Sequence, residues 1–114
     1  MAFVVNPEDG LIPLKVANEW AKRWQEFVVP FNKERPADNP YFPKAYLLHR
    51  REIEKLLNAP NVVNIRIYFG MDEDLNNHLM MVGVDEKGNN ILDSIYNLAL
   101  PCPPICPGTG GLGG

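Results

Sequence analysis

The chain has 114 residues, a formal net charge of -3 and a hydrophobic fraction of 46%. That length suits one domain and leaves no room for two independent cores, and the composition lies well outside the low-hydrophobicity, high-charge range of disorder. Lys and Arg are outnumbered by Asp and Glu, so the electrostatics that drive phosphate-backbone binding are missing and no nucleic-acid partner is expected.

The first residues, Met1-Ala2-Phe3-Val4-Val5-Asn6-Pro7, carry no basic n-region and reach Glu8 and Asp9 before a secretory h-region could form. No run approaches the roughly 18 apolar residues that span a bilayer, so no membrane partner is expected. Two cysteines in 114 residues do not make a disulfide scaffold, and the expected localisation is a reducing, cytoplasmic one.

From Leu14 to Val28, apolar residues Leu14, Ala17, Ala21, Trp24 and Val28 recur at three and four. This spacing predicts an amphipathic helix that starts after Pro13 and stops at Pro30. Trp20 and Phe27 widen its apolar stripe, which predicts broad packing against a sheet. Residues 29–43 contain Pro30, Pro36, Pro40 and Pro43 and read as a loop, with Tyr41 and Phe42 anchoring it to the body. A short strand is expected over 45–48. A second helix over 49–58 buries Ile53, Leu56 and Leu57, and its Arg50, Arg51 and Lys55, interleaved with Glu52 and Glu54, read as a solvated face.

Residues 63–69 alternate Val63, Ile65, Ile67 and Phe69 with Asn64, Arg66 and Tyr68, which predicts a strand. Strands over 78–84 and 91–96 follow, separated by the turn residues Asp85 to Asn89. The expected fold class is α+β: two helices packed on a small, mainly antiparallel sheet with a three-strand C-terminal meander. The domain is drawn over 1–100, with an extended tail over 101–114. Ile65, Ile67, Phe69, Val82 and Trp24 are the expected core.

No motif assigns catalysis. There is no Gly-x-Ser-x-Gly and no phosphate-binding glycine loop, and Ser94 is the sole serine. Asp72, Asp74 and Asn76 alternate as at the start of a calcium loop, but Asn77 and Gly83 stand where an EF-hand needs Gly and Glu, so a polar hairpin loop is expected. No cofactor is expected.

The segment Pro101-Cys102-Pro103-Pro104-Ile105-Cys106-Pro107 supplies the candidate site residues. In polyproline II, four steps separate the cysteine Cα atoms by about 12 Å. A disulfide needs about 4.4 to 6.8 Å, so a bridge requires a cis proline or a turn. An extended tail docked on the domain is the expected form, with Pro103, Pro104 and Ile105 as interaction candidates. Cys102 and Cys106 are the metal candidates, and a Cys2His2 zinc site would have to recruit His49 and His78. The glycines after Pro107 predict a flexible end, and the terminal Gly-Gly resembles that of ubiquitin-like and sulfur-carrier proteins.

The block Asn64-Ile65-Arg66-Ile67-Tyr68-Phe69-Gly70, then Leu79 to Asp85, Gly88-Asn89 and Pro101 to Cys106, resembles a group of small uncharacterised bacterial proteins with this order of motifs. The resemblance covers the C-terminal two thirds and implies a common fold and a bacterial origin, with no activity to transfer. The expected function is a non-enzymatic protein-interaction module with an unknown protein partner and scope for homo-oligomers. The alternatives are a thiol or zinc protein using the cysteine pair and a carrier activated at its Gly-Gly end.

Overall fold

The computed structural model describes residues 10–97 and 100–113. Helix α1 (Leu14–Asn32) is followed by β1 (Ala45–Leu47), α2 (Arg50–Leu57), β2 (Asn64–Met71), β3 (Asn77–Val84), β4 (Asn90–Tyr96) and β5 (Leu100–Cys102). Strands β2, β3 and β4 form the expected antiparallel meander, while β1 and β5 pair in a separate two-stranded sheet. The fold is α+β. Among the described residues, no helix is long and apolar enough to cross a membrane.

The core centres on β3, which is flanked by a strand on each side. Leu79, Met81, Val82 and Val84 are four of the seven buried apolar residues among those described, and Met81 is only 1% exposed. Burial on both faces of β3 explains why Leu79 to Val84 reads as a continuous apolar run instead of an alternating one. On one face, Arg66 Nη1 donates to Asn90 Oδ1 at 2.6 Å, and Asn90 Nδ2 donates to the Tyr68 hydroxyl at 2.7 Å. Arg66 is opposite Val82 and Asn90 opposite Val84, so this bridge from β2 to β4 roofs the two valines. On the other face, Gly83 lets Val62 press onto the sheet. A Cβ there would lie 2.5 Å from Val62 Cγ2, closer than any side chain tolerates.

The expected core needs correction at the edge strand. Val82 is buried, but Ile67 is 42% and Phe69 86% exposed, and Trp24 is also substantially exposed. The alternation does place Ile65, Ile67 and Phe69 on one face of β2. Periodicity, however, reports which residues share a face and not whether anything covers it, and α2 reaches only part of the sheet.

Helix α1 differs from expectation in two ways. It continues past Pro30 to Asn32, because a proline this close to the C-terminus deprives only Glu26 of a helical donor. The end is then fixed from outside: Asn32 Nδ2 donates to the Phe42 carbonyl at 3.0 Å, and the Phe42 N–H donates to Asn32 Oδ1 at 2.9 Å. The hydrogen bonds and ring contacts of α1 also run to the proline loop and to the C-terminal chain, whereas α2 is the helix that touches β2 and β3.

The C-terminal chain departs furthest from a separable tail. Strand β5 crosses the drawn boundary at residue 100 and pairs Cys102 with Ala45, Pro101 with Tyr46 and Leu100 with Leu47. The glycine segment, expected to be flexible, lies along α1: Gln25 Nε2 donates to the Leu112 carbonyl at 3.0 Å, and the Gly113 N–H donates to Asn18 Oδ1 at 3.1 Å. A Cβ at Gly113 would meet the Lys22 backbone nitrogen at 2.7 Å, and its φ of +75° also favours glycine. Gly113→Ala is therefore expected to detach the segment and destabilise by about 1 kcal/mol. Deletion of 108–114 should likewise lower the melting temperature; an unchanged midpoint for both variants would show that this docking contributes nothing.

Candidate functional site

The most distinctive surface lies at the C-terminal half of α1. Trp24, Phe27 and Phe31 fall at intervals of three and four on the helix, and Phe42 joins them from the loop, which its backbone bonds to Asn32 hold in place. The rings make a contiguous row: Phe27 to Phe31 at 5.7 Å, Phe31 to Phe42 at 6.0 Å and Phe42 to Trp24 at 5.9 Å, the last two edge-to-face. Trp24 Nε1 donates to the Pro43 carbonyl at 3.1 Å, so the indole is fixed by its polar edge. All four residues remain between 42% and 65% exposed. Monomeric proteins seldom leave so large an aromatic patch in water.

Beside this row is a groove of about 410 Å³, lined by Val28, Val29, Pro40, Phe42 and Pro103 among others. Lys33, Arg35 and Lys44 border it, and its lining contains no carboxylate. Arg35 stacks over the Tyr41 ring at 5.1 Å and donates through Nε to the Asn39 carbonyl. Tyr41 and Phe42 thus anchor the loop as expected, and also shape the groove.

Pro103 arrives there because the cysteine segment is not extended. Cys102 and Cys106 are joined in a disulfide with their Cα atoms 4.7 Å apart. The Cys102-Pro103 and Pro103-Pro104 peptides are cis, and the Ile105 N–H donates to the Pro101 carbonyl at 2.9 Å, so the cis-or-turn condition for a bridge is met twice over. The polyproline II form is corrected accordingly. Cys102 is buried and Cys106 exposed; Pro103 is half-buried, while Pro104 and Ile105 face solvent. Joined cysteines offer no thiolates to a metal, and among the described residues no group of three or more His, Cys, Asp or Glu is placed to hold one. Two cysteines are too few for a disulfide scaffold, yet the pair present is bonded. Opening the bridge, by reduction or as Cys106→Ser, is expected to destabilise by about 2 kcal/mol for so short a loop. Equal denaturation midpoints with and without reductant would contradict this.

The two histidines separate. His49 stands at the N-cap of α2 without a side-chain cap bond. His78, at the start of β3, places Nε2 2.9 Å from Asp72 Oδ2 and Nδ1 3.3 Å from Asn97 Oδ1. Asp72 Oδ1 accepts from the Asp74 and Asn76 N–H groups, so the acidic loop is a closed polar turn and not a calcium loop. Two acceptors facing one imidazole favour its doubly protonated form. The Asp72 hydrogen bond raises the His78 pKa, with burial opposing, and the His78 bond together with those from the loop amides lowers that of Asp72 to about 2. The stabilisation tied to Asp72 is complete above its ordinary value near 4 and is lost as pH falls toward 2. That tied to His78 is complete below its ordinary value near 6.5 and is lost as pH rises through the raised value. NMR titration should give His78 a pKa above 6.5 in the native chain and a lower one in Asp72→Asn; identical values would show the pair to be uncoupled. Sequence reading expected a polar hairpin loop here but did not bring His78 to Asp72, because the carboxylate's partner lies across the turn and no local pattern records it.

A second groove of about 580 Å³ is lined by Leu56, Val62, Gly83, Ile91 and Ser94 among others, with Asp85, Glu86, Asp93 and Lys87 as its charged members. Ser94 thus lies at the Gly83 end of the sheet and His78 at the opposite end, so the two do not form a nucleophile and base. Gly113 is held on α1 and does not extend from the body as a carrier arm would. No family model matches the chain, and no curated protein or solved structure shows detectable similarity to it.

Proposed function

We propose that the protein is a small, non-enzymatic interaction module that takes an acidic, apolar segment of a partner protein into the groove at the end of α1. The observation that carries this reading is the exposed row from Phe27 to Trp24 leading into a groove bordered by Lys33, Arg35 and Lys44. Aromatic anchors beside an apolar lining supply affinity, and bordering charges of one sign select the partner and speed the encounter. These cations stand out on a chain of net charge -3. Among the described residues no ion pair occupies Lys33, Arg35 or Lys44, which leaves them available to a partner's carboxylates.

The bonded cysteines favour a second reading, a thiol-disulfide protein. With Cys102 buried, an attacking thiolate reaches the Cys106 sulfur, and Cys102 leaves. Its consequence would fall on the same groove, since Pro103 lies between the two sulfurs in sequence. On either reading, the expected resemblance to small bacterial proteins contributes no activity.

Panning a displayed random-peptide library on the full chain tests the first reading. Enriched peptides should place Asp or Glu beside Leu, Phe or Trp. Phe27→Ser and the pair Lys33→Glu, Lys44→Glu should each weaken the best peptide by about tenfold without lowering the melting temperature. Enrichment of basic peptides, or binding indifferent to these substitutions, would refute it.

A further inference from the structure

The outer edge of β2 bears the features of a strand built to pair with a copy of itself. The strand is eight residues long, pairs with β3 at every position from Asn64 to Met71, and among the described residues has no strand along its other side. It carries none of the devices that keep sheet edges apart: no Lys, no Pro, no carboxylate and no bulge. The opposite edge of the meander is guarded. There β4 carries Asp93, and its pairing with β3 is broken between Met81 and Gly83. The contrast makes β2 the one long, regular, open edge of the meander.

Its sequence is complementary to itself under a two-fold axis. In an antiparallel pairing centred on Ile67, Ile67 meets its own counterpart, Ile65 meets Phe69, and Val63 meets Met71, so every pair on that face is apolar. On the other face Arg66 meets Tyr68, and the strand's single charge avoids its own copy. Arg66 and Tyr68 are already drawn over the sheet toward Asn90, away from the edge. The side chains this pairing would cover are those left in water: Val63, Ile67, Phe69 and Met71 are all more than two-fifths exposed.

We infer that the chain forms a two-fold homodimer in which the β2 strands of two copies pair antiparallel about Ile67, joining the meanders into a six-stranded sheet. The occupant is a second copy because the apolar pairing and the avoidance of like charge both follow from setting this strand against itself; a parallel pairing would stack Arg66 on Arg66. The inference stands without the groove reading, although Met71 also borders Phe31 and Phe42. A two-strand seam is small beside a standard interface, so the dimer should dissociate on dilution.

Sedimentation of the full chain over a range of concentrations tests it. The wild type should move from monomer to dimer as concentration rises, and Phe69→Lys should weaken association at least tenfold. Phe69 is exposed enough for that variant to stay folded, which near-UV circular dichroism can verify. In a separate experiment without reductant, Ile67→Cys should yield a covalent dimer with a short thiol-specific cross-linker, because paired residues on adjacent strands lie about 5 Å apart. The same treatment of Leu92→Cys on β4 should not. A chain that is monomeric at all concentrations overturns the proposal, as does a dimer indifferent to Phe69→Lys or one cross-linked as readily through residue 92 as through residue 67.

Discussion

The pairing of β5 with β1 is the contact on which the α1 half of the molecule depends. It brings Cys102 opposite Ala45, and the Lys44 N–H donates to the Cys102 carbonyl at 2.7 Å, so the chain's return is fastened where the proline loop ends. Three backbone positions on each strand are a small ladder, and a two-stranded sheet alone is marginal in water. The disulfide adds the constraint the ladder lacks, closing the chain just after β5 and turning it back. From that turn Pro103 reaches the groove and the glycine segment reaches α1. Without it, α1 would keep its bonds to the loop but lose the Leu112 and Gly113 contacts that cover its polar side.

The molecule therefore has two stabilising centres of different kinds. The meander is held by apolar burial around β3, which weakens little with pH or redox state. The α1 half is held by hydrogen bonds, ring contacts and one covalent bond. The two are joined by asparagines: Asn39 donates to Asn76 Oδ1 at 3.0 Å, and Asn77 Nδ2 donates to the Pro40 and Tyr41 carbonyls. Asn76 and Asn77 belong to the turn that Asp72 closes and precede His78. The Asp72–His78 pair therefore lies beside the place where the two centres meet.

Much of this was legible in the sequence. Both helices and the three meander strands follow from periodicity and turn residues, with ends off by one or two positions except that α1 runs past Pro30 to Asn32, and the need for a cis proline or turn in any Cys102–Cys106 bridge follows from chain geometry alone. What was not legible depends on neighbours far along the chain. Nothing near Leu100 marks β5 as a strand, because its partner is 55 residues away and Pro101 lowers its propensity. The glycines after Pro107 look like a linker by composition, yet Gly113 is needed for a close approach to a helix backbone 91 residues earlier. Ile67 and Phe69 sit on the apolar phase of β2 as read, but their exposure is set by the strand's place at the edge, which no local pattern records. The aromatic row was half visible as Trp24 and Phe27 on the helix; Phe31 and Phe42 fell in the segment read as a loop, and α1 takes in Phe31 only by running past Pro30.

The distribution of charge ties these features to interaction. The chain is acidic overall, and Asp85, Glu86 and Asp93 line the larger groove at the meander together with Lys87. The cations Lys33, Arg35 and Lys44 gather at the opposite half, around the smaller one. On the proposed reading, a partner segment bearing carboxylates would be drawn to the α1 end. Strand β2 carries Arg66 as its single charge, already committed to Asn90 and Gly88. Pairing of two copies there would be governed by short-range apolar contact and would depend on concentration. Under the two proposals, partner capture at the groove would weaken with salt whereas self-association at the edge would not, so ionic strength would separate the two kinds of contact on one small domain.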